Sequence, residues 1–558
     1  MALELPLPVH AMRTLLTFAS GLTLLTSGLA ACESGPGAVK EPPVLAVTSP
    51  ARSLVQGRAG ALIVSGTAAP NAHGDAVSKV TVNGVTAALA PDGSFSATID
   101  VPPGASLIQT VATDANGVSA SDTRSVQAGQ LHQVGSNLTR AVGASLSADA
   151  FAKLSAAAGP IVKGLDIKAM LAPMQPMVSA GGSLANFKLY VDDLKFTDIK
   201  LSLVPVMGGI KFAAEITKLD VPARLVYAGA LVPDGDLDAR VTADKITVAG
   251  TLKVAPNGMA GFKTTLQNPD VGITNSHLEP DVLPGPIMDL FNLDSAIAFI
   301  ASKGAELAMG PIVNKALGAL GGPQSLDVLG HKLDMQVAPA IVDFTPAGGV
   351  VALDMTALLA GSDGGPGFIY TENGPLAMDG TGGFQLGLSD DLVNELLAEL
   401  HALGTLNLSM PQDVGVFDTA QIQMTVPPMI SADTSDGAMR VMLGDMYATF
   451  TNHGTPVGKA AINAKLDLKI SPTANGTSIS LQLGQPEIHV DALDDIMNTT
   501  GLKSSDLEKA TAACIGAQID AISKLLGAIP VPAIAGLAFR DLSIDGQDGY
   551  VMISAELQ

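Results

Sequence analysis

Two tetrapeptides, Leu146-Ser147-Ala148-Asp149 and Leu388-Ser389-Asp390-Asp391, open helices in the same way, and each begins a long stretch of similar plan. In both, a serine stands where its oxygen can accept from a free first-turn N–H, and an acid sits at the positive end of the helix. A strand-rich region follows each start, Leu184 to Leu266 in the first case and Phe417 to Val490 in the second. Next comes a second apolar helix, ending in Leu317-Gly318-Ala319-Leu320 and in Leu526-Gly527-Ala528-Ile529. A strand pair closes each stretch, ending in Val350 to Met355 and in Tyr550 to Ala555. From Gly129 onward the chain therefore reads as a diverged duplication: helix, antiparallel meander, helix, final strands, twice over.

The meanders have period two. Ile462, Ala464, Leu466, Leu468 and Ile470 alternate with Asn463, Lys465, Asp467 and Lys469, and Ile246, Val248, Gly250, Leu252 and Val254 repeat the pattern. Alternation of this kind predicts sheets with one dry and one wet face. With 47% hydrophobic and only 15% charged residues, the chain must bury apolar surface rather than stay disordered. Its aromatic inventory is no Trp, 5 Tyr and 15 Phe, so that interior is aliphatic and offers few platforms for stacking bases or sugars. A net charge of −22 repels phosphate backbones, which argues against nucleic acid as a partner.

The segment before the duplication has its own signals. Met12 and Arg13 precede an apolar run that ends in Leu29-Ala30-Ala31-Cys32, with the charged start, apolar middle and small-residue end of an export signal. The last four residues resemble a bacterial lipobox, which implies a signal peptide over 1–31 and acylation of Cys32. The alternatives are an ordinary secretory signal or an N-terminal membrane helix. Glu33 in place of Asp fits sorting to the outer membrane of a Gram-negative bacterium, and residues 32–42 read as a Gly/Pro linker. Over 43–128, short alternating runs are punctuated by Asn83-Gly84, Asp92-Gly93 and Asn116-Gly117, the spacing of an all-β sandwich. The order of these turns resembles bacterial immunoglobulin-like modules, which serve as spacers or as adhesive domains.

Over roughly Leu146 to Leu557 the order of elements resembles the tubular lipid-binding superfamily. The similarity is to its two-barrel members, related to bactericidal/permeability-increasing protein, lipopolysaccharide-binding protein and cholesteryl ester transfer protein. It rests on the opening helix Leu146 to Lys163, the segment Phe187 to Phe196, the turn Val204 to Phe212, Leu386 to Asp391 at the start of the second half, and the closing Val531-Pro532 with Leu537 to Leu557. The resemblance implies an α+β fold. An immunoglobulin-like sandwich would precede an elongated pseudo-two-fold pair of lipid-binding barrels, 129–325 and 326–558, each a highly curved antiparallel sheet wrapped on a long helix. It also implies apolar pockets for acyl chains. Candidate lining residues in the first half are Phe151, Leu154, Ile161, Val162, Ile287, Leu290, Phe291, Ile297 and Ile300. In the second half they are Leu392, Leu396, Leu397, Leu400, Ile515, Ile519, Ile522 and Leu526. Two features depart from the family: Cys514 has no partner for the first-barrel disulfide of the animal proteins if Cys32 is acylated, and the acidic charge makes lipopolysaccharide a poor first ligand.

Catalytic motifs are not found. There is no G-x-S-x-G elbow, no H-E-x-x-H and no Walker loop, and the 8 His are scattered. Asp234, Asp236 and Asp238 form a D-x-D-x-D run, but Ala239 and Lys245 occupy the positions where a calcium loop needs Gly and Glu, so a solvated turn beginning at Pro233 is expected and no metal. No cofactor is expected either. The sequence thus points to a non-enzymatic lipoprotein, anchored in the outer membrane by its N-terminal acyl chains and facing the periplasm or the surface. It would bind or transfer phospholipid or another acyl lipid; the alternative is an adhesin that uses the 43–128 domain, with the barrels as scaffold.

Overall fold

The computed structural model describes residues 41–164, 166–258, 262–279, 287, 292–303, 322–328, 330–371, 373–374, 376, 378–411, 417–432, 439–472, 478–493, 528–530 and 539–557. Strands dominate. The N-terminal runs form a sandwich of two sheets. One holds Val44–Ser49, Gly60–Ala69, Ser94–Val101 and Ala88–Leu89, and the other Leu54–Gln56, Ser119–Ala128, Gly104–Asp114, Val77–Val82 and Val85–Thr86. Alternation supplies its core, because Val64, Val80, Val82, Ala112 and Val126 all point inward and are fully buried. The Asn83-Gly84 turn has both residues at positive φ, 45° and 82°, the conformation that lets Val82 pair with Val85 across a two-residue hairpin.

The two stretches meet in a seven-stranded antiparallel sheet. Its order is Gly322–Val328, His331–Thr345, Gly348–Leu359, Leu138–Ser147, Phe384–Ser389, Tyr550–Leu557 and Phe539–Gln547. The opening strands of the two halves, Leu138–Ser147 and Phe384–Ser389, lie side by side at its middle. Each then pairs on its other edge with the closing hairpin of its own half. Both opening strands run directly into a helix, Ala148–Lys163 and Asp390–Ala402, whose first turns are capped as expected. Ser147 Oγ accepts from the Ala150 N–H at 3.2 Å, and Ser389 Oγ from the Asp391 N–H at 3.2 Å.

Each half contributes a further sheet. In the first, Val178–Gly181, Asn186–Val191, Asp198–Val206, Gly209–Gly229, Val232–Pro256 and Phe262–Glu279 form six antiparallel strands, a longer meander than Leu184 to Leu266. Strands of 21, 25 and 18 residues are several times the usual length of about six and can only be accommodated by twisting and coiling. Their inner residues, among them Leu189, Phe212, Leu225, Val241, Ile246, Val248 and Leu252, share one apolar cluster with Phe151, Ile287, Ile297 and Ile300. Fully burying each such side chain contributes roughly 1.5–3 kcal/mol. The second-half sheet has eight strands, and its inner face clusters Ala420, Met446, Phe450, Ile462, Ala464 and Val490.

Two sequence expectations are corrected. The chain reverses at Ala230-Leu231, not at Pro233, and Asp234, Asp236 and Asp238 lie within the Val232–Pro256 strand, all exposed. The D-x-D-x-D spacing is itself a period of two, so it reads as the wet face of a strand as readily as a turn. Asn463, placed on the wet face of the second-half meander, is fully buried instead, because the N-terminal sandwich docks against that face. The 43–128 segment is therefore folded onto the second half rather than standing off as a spacer.

Candidate functional site

The helix Ala148–Lys163 is tied to the strand Asp198–Val206 by Ser155. Its hydroxyl donates to the Phe151 carbonyl at 2.7 Å and accepts from the Leu203 N–H at 2.9 Å. Beyond this tie the helix turns Ala156, Gly159 and Pro160 to the facing side, followed by Lys163 at its end. Between them and Ile199 and Leu201 lies a cleft of about 420 Å³. Gly159 sets the spacing, since a Cβ there would lie 3.0 Å from the Ile199 carbonyl oxygen. Pro160 has no N–H, which leaves the Ala156 carbonyl without its helical donor at the cleft wall. The exposed ion pair Lys163–Asp198, 3.0 Å, and Lys200 complete the lining. Hydrogen bonding and attraction from Lys163 hold Asp198 ionised below the ordinary aspartate range.

The side chains anticipated as pocket lining are distributed differently. Phe151, Ile287, Ile297 and Ile300 meet in the large first-half cluster, with Phe151 edge-on to Phe344 at 6.3 Å. Leu154 packs instead on Leu542 and Leu557 from the second half's closing strands, and Val162 is buried. Leu392, Leu396 and Leu400 join Leu333 and Leu359 in a separate small cluster, while Leu397 is half-buried. None of these residues lines the 420 Å³ cleft. Ile161 lies in the helix Ala148–Lys163. Cys32, Leu290, Phe291, Ile515, Ile519, Ile522 and Leu526 lie outside the described residues.

The helix Asp390–Ala402 holds what sequence reasoning missed. Its most buried stripe is acidic: Asp391, Glu395 and Glu399, one turn apart, are exposed by only 1%, 0% and 0%. Each carboxylate receives a different segment. Asp391 Oδ1 accepts from the Thr371 N–H and hydroxyl at 2.9 and 3.0 Å, Glu395 Oε1 from the Gly135 N–H at 2.7 Å, and Glu399 Oε2 from the Leu359 N–H and the Ser362 hydroxyl. Asn394 exchanges two hydrogen bonds with the backbone of Ile430, and Asp390 Oδ2 accepts from the Ala432 N–H at 2.9 Å. The helix thus anchors the ends of surrounding strands and loops.

This arrangement favours protonated acids. Burial, opposed by the Thr371 hydrogen bonds and reinforced by the neighbouring Asp390 charge, pushes Asp391 up to about 7. Burial likewise pushes Glu395 up to about 8, with Glu399 and Asp391 adding repulsion, and raises Glu399. Among the described residues Asp391 Oδ2, Glu395 Oε2 and Glu399 Oε1 have no hydrogen-bond partner, and no cluster of three or more His, Cys, Asp or Glu is arranged to hold a metal ion. What the stripe does in this fold is tie the helix to Thr371, Gly135 and Leu359. Its signal in the sequence was the i, i+4, i+8 spacing, which by itself is equally that of a solvated face.

Among the described residues no helix is long and apolar enough to cross a membrane. The family model described as glucodextranase, domain B, matches residues 43–130, the N-terminal sandwich. No curated protein sequence matches the chain. Among solved structures it is similar to a lipopolysaccharide binding protein at 11% identity, with a TM-score of 0.34 over 75% of this chain and 99% of that one. P47 of Clostridium botulinum E1 aligns at 9% identity and a TM-score of 0.26, over 76% of this chain and 100% of that one. P47 of Clostridium botulinum A2 gives 9% and 0.25, over 74% and 96%.

Proposed function

We propose that the chain binds acyl lipid without covalent chemistry, as a lipoprotein held at the outer membrane through an acylated Cys32. The observation that carries this reading is the first-half cleft. Its volume of about 420 Å³ falls within the ~300–1,000 Å³ range of small-molecule sites; Ala156, Gly159 and Pro160 leave it open on the helix side, Ile199 and Leu201 give it apolar surface, and Lys163, Asp198 and Lys200 stand where a lipid's polar end would lie. An acyl chain of about sixteen carbons costs on the order of 12 kcal/mol to keep in water, at ~0.8 kcal/mol per methylene, so an enclosed apolar interior is what a carrier must supply. The central sheet, which joins two halves of like topology, supports a paired-barrel arrangement with a second interior in the other half.

The test is native mass spectrometry, with solvent extraction, on protein purified without detergent. Acyl lipid is expected to co-purify and to be lost on Ala156→Phe, which fills the cleft from an exposed position on the helix. A folded, ligand-free protein that also refuses added phospholipid would refute the reading.

A further inference from the structure

The N-terminal sandwich meets the outer face of the second-half sheet through one buried ionic node. Arg52, in the turn before Leu54–Gln56, reaches Asp122 of its own domain at 3.1 Å and two second-half carboxylates, Asp445 at 3.0 Å and Asp491 at 3.0 Å. Asp445 is fully buried and fully used. Its Oδ2 accepts from the Ser53 N–H at 2.6 Å and the Ser125 N–H at 3.0 Å, and its Oδ1 from Arg52 and, at 3.3 Å, from Asn463. Asn463 also donates to the Thr123 carbonyl at 3.0 Å, Gln127 to the Pro427 carbonyl at 2.6 Å, and Asp491 accepts from the Thr123 N–H at 2.9 Å. Arg124 binds Asp122 from the other side at 2.8 Å.

Both partners are distorted where they touch. Ser53 and Asp445 adopt left-handed backbone, φ 60° and 42°, a conformation uncommon for non-glycine residues and costly for serine more than for aspartate. Asp445 stands in a bulge. The strand Met439–Asn452 pairs Leu443 with Ala464 and Met446 with Ile462, so one extra residue is inserted on its side. Gly444 in that bulge lies against the sandwich so closely that a Cβ would collide with the Ser125 side chain. The same bulge sets the alternation of the strand: beyond it Met446, Ala448 and Phe450 point to the opposite, inner face and pack with Ile462, Ala464 and Val490.

We infer that the N-terminal sandwich is a brace, which by gripping Asp445 fixes the bulged register of the second-half sheet and thereby which residues line the interior on the other side. Undocked, the bulge keeps its strain and loses its compensation: the Asp445 carboxylate would have no guanidinium and no sandwich amides. Relief by a one-residue slip moves Met446, Ala448 and Phe450 off the inner face, because side-chain direction reverses with every residue.

Hydrogen exchange followed by mass spectrometry on the full chain tests this. In Arg52→Met, amides of 439–450 and 460–464 are expected to exchange roughly 100- to 1,000-fold faster, the size expected from stranding a buried charge. Those of the central strand 142–146 and the first-half strand 210–216 are expected to stay unchanged. Gly444→Ala, which leaves every charge in place and collides with Ser125, should give the same pattern even if Arg52→Met does not fold. Adding Ser125→Gly to that variant should restore protection by making room for the methyl. Faster exchange confined to 43–127, an even rise over the whole chain, or failure of Ser125→Gly to restore protection would each overturn the brace.

Discussion

The buried acid at the centre of the second-half helix makes a prediction whose sign is unusual for a strongly acidic protein. Glu395 is 0% exposed, and its folded value of about 8 lies above the ordinary 4.5, so between those two pH values the folded chain holds a proton that the unfolded chain has released. Stability must then fall as pH rises through that window and level off above it. A rise of that size corresponds to on the order of 5 kcal/mol by the end of the window. Glu395→Gln removes the titration and keeps an acceptor for the Gly135 N–H. Its amide takes the place of Oε2, which has no partner among the described residues, so a penalty of about 1–3 kcal/mol is expected at every pH. The change of stability with pH, not its level, therefore reports on the Glu395 proton. Because the chain has no Trp, urea unfolding is best followed by far-ultraviolet circular dichroism, at about pH 5 and about pH 9. The variant is expected to gain on the natural chain by several kcal/mol between the two. A difference that does not change with pH would show that Glu395 is ionised in the folded chain throughout and would refute the argument.

Three further outcomes are expected. Ser389→Ala removes the oxygen that caps the second-half helix and accepts from Asn373 Nδ2 at 2.7 Å; it should cost about 1 kcal/mol in the same urea experiment. Phe212→Ala, at a side chain 1% exposed in the first-half interior, should cost about 3–5 kcal/mol by calorimetry, the range for emptying an aromatic core site. Asp391→Asn should shift the thermal midpoint upward relative to the natural chain by more at about pH 8 than at about pH 5, because burial holds that carboxyl up to about 7 and the natural chain loses stability as pH rises toward it.

What the sequence disclosed and what it hid follow one physical division. Period-two runs, cap serines and Asn83-Gly84 are local: each depends on neighbours a few residues away, and Ser147, Ser389 and the 83–84 hairpin stand where local rules put them. Alternation, however, says only that one face of a strand is polar, not what the polar face meets. Asn463 and Asp491 alternate with apolar residues just as solvent-facing groups do, yet they meet Thr123 and Arg52, whose positions in the chain are more than three hundred residues away. The acid stripe of Asp390–Ala402 deceived in the same way. Each of its acids is held by a backbone N–H, of Gly135, Leu359 or Thr371, with the Thr371 and Ser362 hydroxyls beside them, and no side-chain pattern marks a backbone donor. The cleft was hidden for a third reason: it is bounded by what Ala156 and Gly159 lack, and small residues are read as helix filler.

The two opening helices begin alike but differ at the position that bounds the cleft. Counted from the cap serines Ser147 and Ser389, Gly159 and His401 occupy the same helical position. In the first half that position is empty, and the cleft forms there. In the second it is filled by an imidazole whose Nε2 donates to the Met424 carbonyl at 3.1 Å, so helix and neighbouring chain are joined by a side chain where the first half has open space. Gly159→His should therefore convert the first-half arrangement toward the second. Its Cβ asks the Ile199 carbonyl, 3.0 Å away, to give by a few tenths of an ångström, and its ring enters the cleft of about 420 Å³. If the cleft is where acyl chains enter, titration with a fluorescent fatty acid should show the first-half variant losing roughly tenfold or more in affinity, since excluding even two methylenes forfeits about 1.6 kcal/mol. His401→Gly, in contrast, should leave that affinity unchanged. Equal binding by the natural chain and Gly159→His would remove the cleft from the account of function and leave lipid binding without its first-half site.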